Sequence, residues 1–558
     1  MKLRSPLVAA AMAAALVLAG CAGSNAPGAT DTSTVTPEQG TAPLTIAKPD
    51  GPITSENANP WVAEASGVTL GYVYAILEPL AIVNLINPTD PPRPWLASQT
   101  EWAPDYHAVT LTARDGVTWS DGEAFGADDI AFTFRFIKDH PELDTSAIGV
   151  TDVTTEGNTV TVSFSDSVYV KQDKVLHTLI VPEHTWSDVS EPATFTNPDP
   201  VGTGPYRLAQ FSGQSIELTA REDYWGGTVA VPQLFYVSYN DNTALTTALA
   251  NGEADWAQAF IPNLSSNYLD KDPANQYWAP AGLGVDALFV NTTRKPFDDV
   301  AFRQAVDKVV DRGKHATIAR EDAVPPLTSV TGLPTPGGDA FITEPYAGAS
   351  YQVDPAGARS ILEQAGYSWQ GEKLIDPDGE PVTFTISVPQ GWSDYVTGSS
   401  LIVDSVRELG VEATVDTPDA DTWWVDRAKG DFQAIIHWTD TGNTAYDLYS
   451  DTMDGRWLES IGTEANYNFG RFDSPEATDL LRTYAEATDD AARTEALTKI
   501  QQLFVEQVPA LPIGTRPFIG EFNTRNYTGW PGEDNPYINP DPTEPSTVLI
   551  LTELAPAV

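Results

Sequence analysis

The 558-residue chain has a single cysteine, Cys21, so no disulfide staples its body and no thiolate there can attack a substrate or bind a metal. Histidine is scarce. His107, His140, His177, His184, His315 and His437 are scattered without an H-x-x-x-H pair or a carboxylate at ligand spacing, and no metal site or cofactor is expected. A G-x-S-x-G elbow and a phosphate-binding loop are both missing; "GTGPY" has two of the glycines of a nucleotide loop and lacks the third. Positive charge is also short: 31 Lys and Arg against 77 Asp and Glu leave a net charge of −46. That field repels nucleic acid and anionic lipid headgroups, which removes both as partners. No acidic block forms a tail, so the acidity reads as solvated surface. "DPDGE" at Asp376 to Glu380 is too short for a calcium loop and reads as a hairpin turn. With 77 acids, carboxylate pairs suited to glycoside hydrolysis arise by chance and stay open as a possibility.

The cysteine follows a basic start, Lys2 and Arg4, and an apolar stretch from Pro6 to Leu18 that is short for a bilayer span. Leu18-Ala19-Gly20-Cys21 resembles the bacterial lipobox. The expectation is a signal peptide over 1–20, lipidation of Cys21, and a tether over 21–44. The tether's Ala, Gly, Ser, Asn, Pro and Thr cannot offset the entropy of ordering, and it reaches roughly 25–30 Å.

What is abundant is aromatic: 15 Trp, 20 Tyr and 20 Phe, more than a core of this size needs, which leaves rings to line a cleft. With 41% hydrophobic residues and this length, the body divides into more than one domain. Strand and helix signals alternate. Val109, Leu111 and Ala113 share a strand face, and Asp115-Gly116 is read as a turn with Val117 and Trp119 on the return. "FGADDIAFTFRFIKDH" opens a helix with two acids in its first turn. Phe302, Ala305, Val306, Val309 and Val310 mark one helix face. Asp354, Pro355 and Gly366 bracket a short helix, Ser474-Pro475 opens another, and Pro509 ends the helix of Leu497, Ile500, Leu503 and Phe504. The result is a mixed α/β fold.

Several stretches together resemble the extracytoplasmic solute-binding proteins of ABC importers, family 5, which include dipeptide-, oligopeptide- and cellobiose-binding lipoproteins. They are Pro94 to Phe134 ("PWLASQTEWAPDYHAVTLTARDGVTWSDGEAFGADDIAFTF", with Gly126 at a helix cap where Thr is usual), "VGTGPYRLAQF", "YWGG" at Tyr224 to Gly227, "LANGEADWA" at Leu249 to Ala257, and "LFVNTTRKPFDDVAFRQAVDKVVDR". The similarity runs from about residue 50 to 515 in family order. It implies a two-lobed periplasmic-binding-protein-like α/β fold, type II, of the large class with an extra subdomain. Lobe I would cover 45–283 with an inserted subdomain at about 76–200, lobe II 284–511, and 512–558 would return to lobe I. The lobes would close on a ligand without breaking bonds, as a monomer that delivers to permease subunits at the outer face of the cytoplasmic membrane.

The resemblance also bears on the ligand. Peptide-binding members hold an ammonium with a carboxylate in "W-T-G-D-x-x-D-P-D". Here "HWTDTGNTAYD", His437 to Asp447, offers Asp440 at a different spacing. "SENANPW", "EADWAQAFIPN" and "VPQGWSDYVTGSSLIVDSVRELGV" resemble the oligosaccharide-binding branch, which stacks sugar rings on aromatic faces. Asn59, Trp256, Phe260, Trp392, Trp424, Trp438, Asp440 and Tyr446 are the implied ligand contacts, with no catalytic residue. The expected ligand is a short β-linked gluco- or xylo-oligosaccharide, with a peptide next, and a lipoprotein glycosidase as the reading from another class.

Overall fold

Leu44 and Ile46 alternate inward along the strand Leu44–Lys48, and its neighbours extend it into a seven-stranded sheet. The computed structural model describes residues 42–557, so the expected signal peptide, Cys21 and nearly all of the tether lie outside the described residues. In sheet order the strands are Asn275–Trp278, Gly520–Asn523, Trp256–Ala257, Leu44–Lys48, Gln233–Ser238, Ile216–Ala220 and Tyr206–Phe211. A second sheet orders Glu412–Asp416, Thr383–Ser387, Ala434–Trp438, Ala281–Val290 and Ala510–Pro517. These sheets are the cores of two lobes. The chain passes between them through 279–280 and 518–519, where Phe518 N donates to Pro280 O at 2.9 Å. The limits 283/284 and 511/512 implied by the resemblance fall inside the strands Ala281–Val290 and Ala510–Pro517 of the second sheet.

The inserted subdomain is a four-stranded antiparallel sheet, Ala97–Trp102, Ala108–Ala113, Thr159–Phe164 and Val150–Glu156, under the helix Ala127–Asp139. Ile130, Ala131, Phe134 and Ile137 bury one face of that helix. Asp129 closes its start by accepting from Gly126 N at 3.0 Å, which satisfies an otherwise orphaned amide. Val109, Leu111 and Ala113 face inward as expected. The expected return after Asp115-Gly116 is corrected: Val117 and Trp119 are buried but form no strand, and only an isolated bridge joins Thr118 to Ala124. Arg221 holds this stretch instead, donating to Thr118 O and Trp119 O at 3.1 Å each.

The sequence signatures meet as packing devices. Trp95 Nε1 and Tyr224 OH both donate to Glu78 Oε1 at 2.7 Å, and Trp225 Nε1 to Oε2 at 2.8 Å. Burial holds the Glu78 carboxyl above its usual range. The glycines of "GTGPY" are needed for close approach, since a Cβ on Gly202 would lie 1.9 Å from Ile76 O. Gly204 N donates to that same carbonyl at 2.8 Å.

Candidate functional site

Ala434, Ile435 and Ile436 are fully buried in the middle of the five-stranded sheet, so the chain leaving Trp438 emerges at a sheet end, where α/β folds place ligands. Trp438, Thr439, Asp440 and Thr441 form one wall of a cavity of about 410 Å³. Lobe I contributes Trp61, Tyr74, Asp541 and Glu544, the inserted subdomain Asp173, Lys174 and His177, the strand Ala510–Pro517 of the second sheet Arg516, and the second crossing Phe518. This volume lies in the range of small-molecule sites, ~300–1,000 Å³.

Lys174 is the centre of its charge. Its Nζ lies 3.6 Å from Asp440, 3.8 Å from Asp173 and 3.8 Å from Asp447. Burial opposes the ammonium, but Asp440, Asp447 and Asp173 together hold it well above the usual lysine value. Burial pushes Asp447 up to about 7 against the pull of Lys174. Glu544 is pushed up to about 8 by burial and by Asp541. His177 is driven down to about 3 by burial and by Lys174, and its Nε2 accepts from Val83 N at 3.1 Å, which fixes a neutral ring. Asp440 is positioned twice: its N donates to Asp451 Oδ2 at 2.7 Å and its Oδ2 accepts from Tyr467 OH at 2.8 Å. The Trp438 ring stacks on His437 at 4.3 Å, and the Arg516 guanidinium lies 4.1 Å from its centre. Aromatic faces with carboxylates around them can stack the C–H face of a ring and accept from hydroxyls.

Of the eight expected contacts, Trp438 and Asp440 line this cavity. Asn59 does not: it is fully buried, and its Nδ2 donates to Pro192 O and Phe195 O at 2.7 Å each. Its Oδ1 accepts from Trp61 N at 3.0 Å, so it fixes the loop that presents Trp61. Trp256 is a core residue, fully buried, 5.2 Å from Trp530 and donating to Pro540 O at 2.8 Å. Tyr446 is likewise interior, donating to Asp454 Oδ2 at 3.2 Å. Phe260 is half-buried and off the wall. Trp392 and Trp424 stand behind Trp438, at 5.7 and 5.9 Å. Trp392 precedes the helix Ser393–Arg407, the loop-to-helix position expected of it, but packs on Tyr395 and Trp423 as well.

Trp61, Tyr74, Lys174, Arg516, Phe518, Asp541 and Glu544 escaped the sequence reading. "NPW" was a usable signal for Trp61, directly after Asn59 and Pro60. Nothing local marks Lys174, whose three carboxylate neighbours include two more than 260 residues away.

Comparison with known proteins gives a consistent family. Residues 91–456 match the profile of the bacterial extracellular solute-binding proteins, family 5, middle region. Protein XP55 of Streptomyces lividans is 25% identical over 414 residues, 72% of each chain. Di/tripeptide-binding protein 1 of Pseudomonas aeruginosa is 25% identical over 460 residues, 75% of this chain and 80% of that one. The periplasmic oligopeptide-binding protein of a Thermotoga maritima oligopeptide ABC transporter superposes with a TM-score of 0.84 at 24% identity, covering 93% of this chain and all of that one. Its mannohexaose-bound form superposes at 0.80 and 23% identity, covering 93% and 99%. These structures establish the two-lobed fold.

Proposed function

The chain belongs to the bacterial extracellular solute-binding proteins of family 5, substrate-binding components of ABC importers, and from its cavity we propose that the ligand is a short, neutral, β-linked gluco- or xylo-oligosaccharide. The observation that carries this reading is the wall itself. The aromatic rings of Trp438 and Trp61 line it, with the Arg516 guanidinium over the Trp438 ring, among carboxylates that accept hydrogen bonds. A pyranose has apolar C–H faces and a hydroxyl rim, and suits both. A relative in fold takes mannohexaose, which lends the reading support. Closure about 279–280 and 518–519 would bury the sugar for delivery to permease subunits. Lipidation of Cys21 would anchor the protein outside the cell membrane, and Cys21→Ser should then release it to the soluble fraction with ligand affinity unchanged.

A peptide is the second reading, favoured by the surplus of carboxylates in the cavity and by the di/tripeptide-binding relative. Thermal melting with cello- and xylo-oligosaccharides, di- and oligopeptides tests both. A ligand at ~100 times its dissociation constant adds about 2.7 kcal/mol. A shift with peptides alone overturns the sugar reading. Recovery of cleaved sugar after incubation would point to a glycosidase.

A further inference from the structure

Resting on the neutral-ligand reading, we propose that Lys174 is a specificity-determining residue: its ammonium occupies the place in the cavity that a ligand cation would take. The cavity's carboxylates are not equally in need of a partner. Asp144 is satisfied by Ile148 N and Gly149 N, both at 2.8 Å. Asp173, Asp440 and Asp447 instead converge on one point, where the Lys174 ammonium lies within 3.8 Å of each. Asp173 Oδ1 and Asp447 Oδ2 are buried without a hydrogen-bond partner. Buried carboxylates left without a cation are strongly unfavourable or take up protons, and a cation from the ligand or from the chain is favoured at this point.

The chain supplies it. Lys174 sits on the short helix Gln172–Leu176 of the inserted subdomain, beside Asp173, and reaches Asp440 and Asp447 on lobe II. A quarter of its side chain is exposed, beside the more exposed Asp440, so an incoming group meets the ammonium already paired with that acid. A cationic ligand must displace Lys174 or sit beside it, and either is opposed by like charge. A neutral ligand pays neither penalty and finds Asp440, more than a third exposed, able to accept from its hydroxyls. Selection by charge is therefore set by one lysine on an element remote in sequence from the acids it neutralises.

The test removes the internal cation and offers an external one. Lys174→Ala deletes three methylenes and the ammonium, the shape of n-propylammonium. The full chain is melted in n-propylammonium chloride, in sodium chloride at equal ionic strength, and in 1-propanol. Lys174→Ala should gain about 2 °C or more from n-propylammonium over sodium chloride, nothing from 1-propanol, and the wild type should not respond. Adding Asp440→Asn to Lys174→Ala should abolish most of the gain. If Lys174→Ala does not melt cooperatively, Lys174→Ser, which leaves nearly the same room, carries the same comparison. A folded variant that ignores n-propylammonium, or a wild type that responds equally, overturns the proposal. No sugar enters this measurement, so failure of the oligosaccharide reading appears separately, as a wild type unmoved by the sugar panel.

Discussion

Trp438 and Trp392 are 5.7 Å apart, yet their truncations should have different signatures. Trp438 faces the cavity, and losing an aromatic anchor there costs about 2 kcal/mol of binding, roughly 30-fold in affinity by calorimetry. Trp392 meets Tyr395, Trp423, Trp424 and Trp438. Trp392→Ala should therefore lower the unfolding midpoint, by about 2 kcal/mol for a half-buried ring, with a smaller effect on affinity. A large affinity loss at an unchanged midpoint would return Trp392 to the wall. Titration is a second property of single residues. Asp447 and Glu544 bind protons more tightly folded, at about 7 and about 8, than in the unfolded chain, where carboxyls ionise near their ordinary values. Between about pH 4 and pH 8 the folded state carries the extra protons, so the stability these groups contribute at acid pH is lost as pH rises. The melting midpoint should be higher at ~pH 5.5 than at ~pH 8, and Asp447→Asn with Glu544→Gln should flatten the difference.

At the scale of elements, the helix Pro475–Glu486 of lobe II ends against the inserted subdomain. Glu486 accepts from Ser167 N at 3.0 Å and contacts His107 Nε2 at 3.1 Å. On the following helix, Asp490–Gln507, the Arg493 guanidinium lies 3.6 Å from the centre of Tyr169. These contacts join the lobes away from the ligand wall. Glu486 and His107 are more than a third exposed, so the pair contributes below about 1 kcal/mol. Glu486→Ala should speed ligand release by at most about fivefold in stopped-flow tryptophan fluorescence, with the same ligand preference. An unaltered release rate would mean that the contact does not hold the closed form. Helix starts were the most legible elements in the sequence. Asp354 accepts from Gly357 N at 2.8 Å and Ser474 from Ala477 N at 3.2 Å, because a cap needs only residues a few positions away. "DPDGE" is the turn expected, with Asp376 N donating to Glu380 O at 2.9 Å. The false return strand after Gly116 failed for the opposite reason: alternation is local, but a strand needs a partner, and Arg221 supplies other contacts there.

For the molecule as a whole, two short crossings join two sheets, and the cavity lies where the lobes face each other. Saturating ligand should therefore reduce the radius of gyration in small-angle scattering; an unchanged profile with binding confirmed would count against hinge closure. The sequence by itself determined the fold class and the family, because both are written in many short signatures in order: Trp95, Tyr224 and Trp225 are recognisable one by one, and they meet on Glu78. It also determined several helix ends, at Gly126, Asp354, Ser474 and before Pro509, and the resemblance to the family's W-T-G-D stretch singled out Trp438 and Asp440, which line the cavity. Only the tertiary structure decided which tryptophans are core. Trp256 and Trp438 have the same side chain beside similar strand residues, and only Trp256 has Trp530 and Pro540 packed on it from the far end of the chain. The same holds for Lys174, whose role depends on Asp440 and Asp447 brought to it across the cleft. Burial and charge pairing are set by contacts distant in sequence, and no local pattern encodes them.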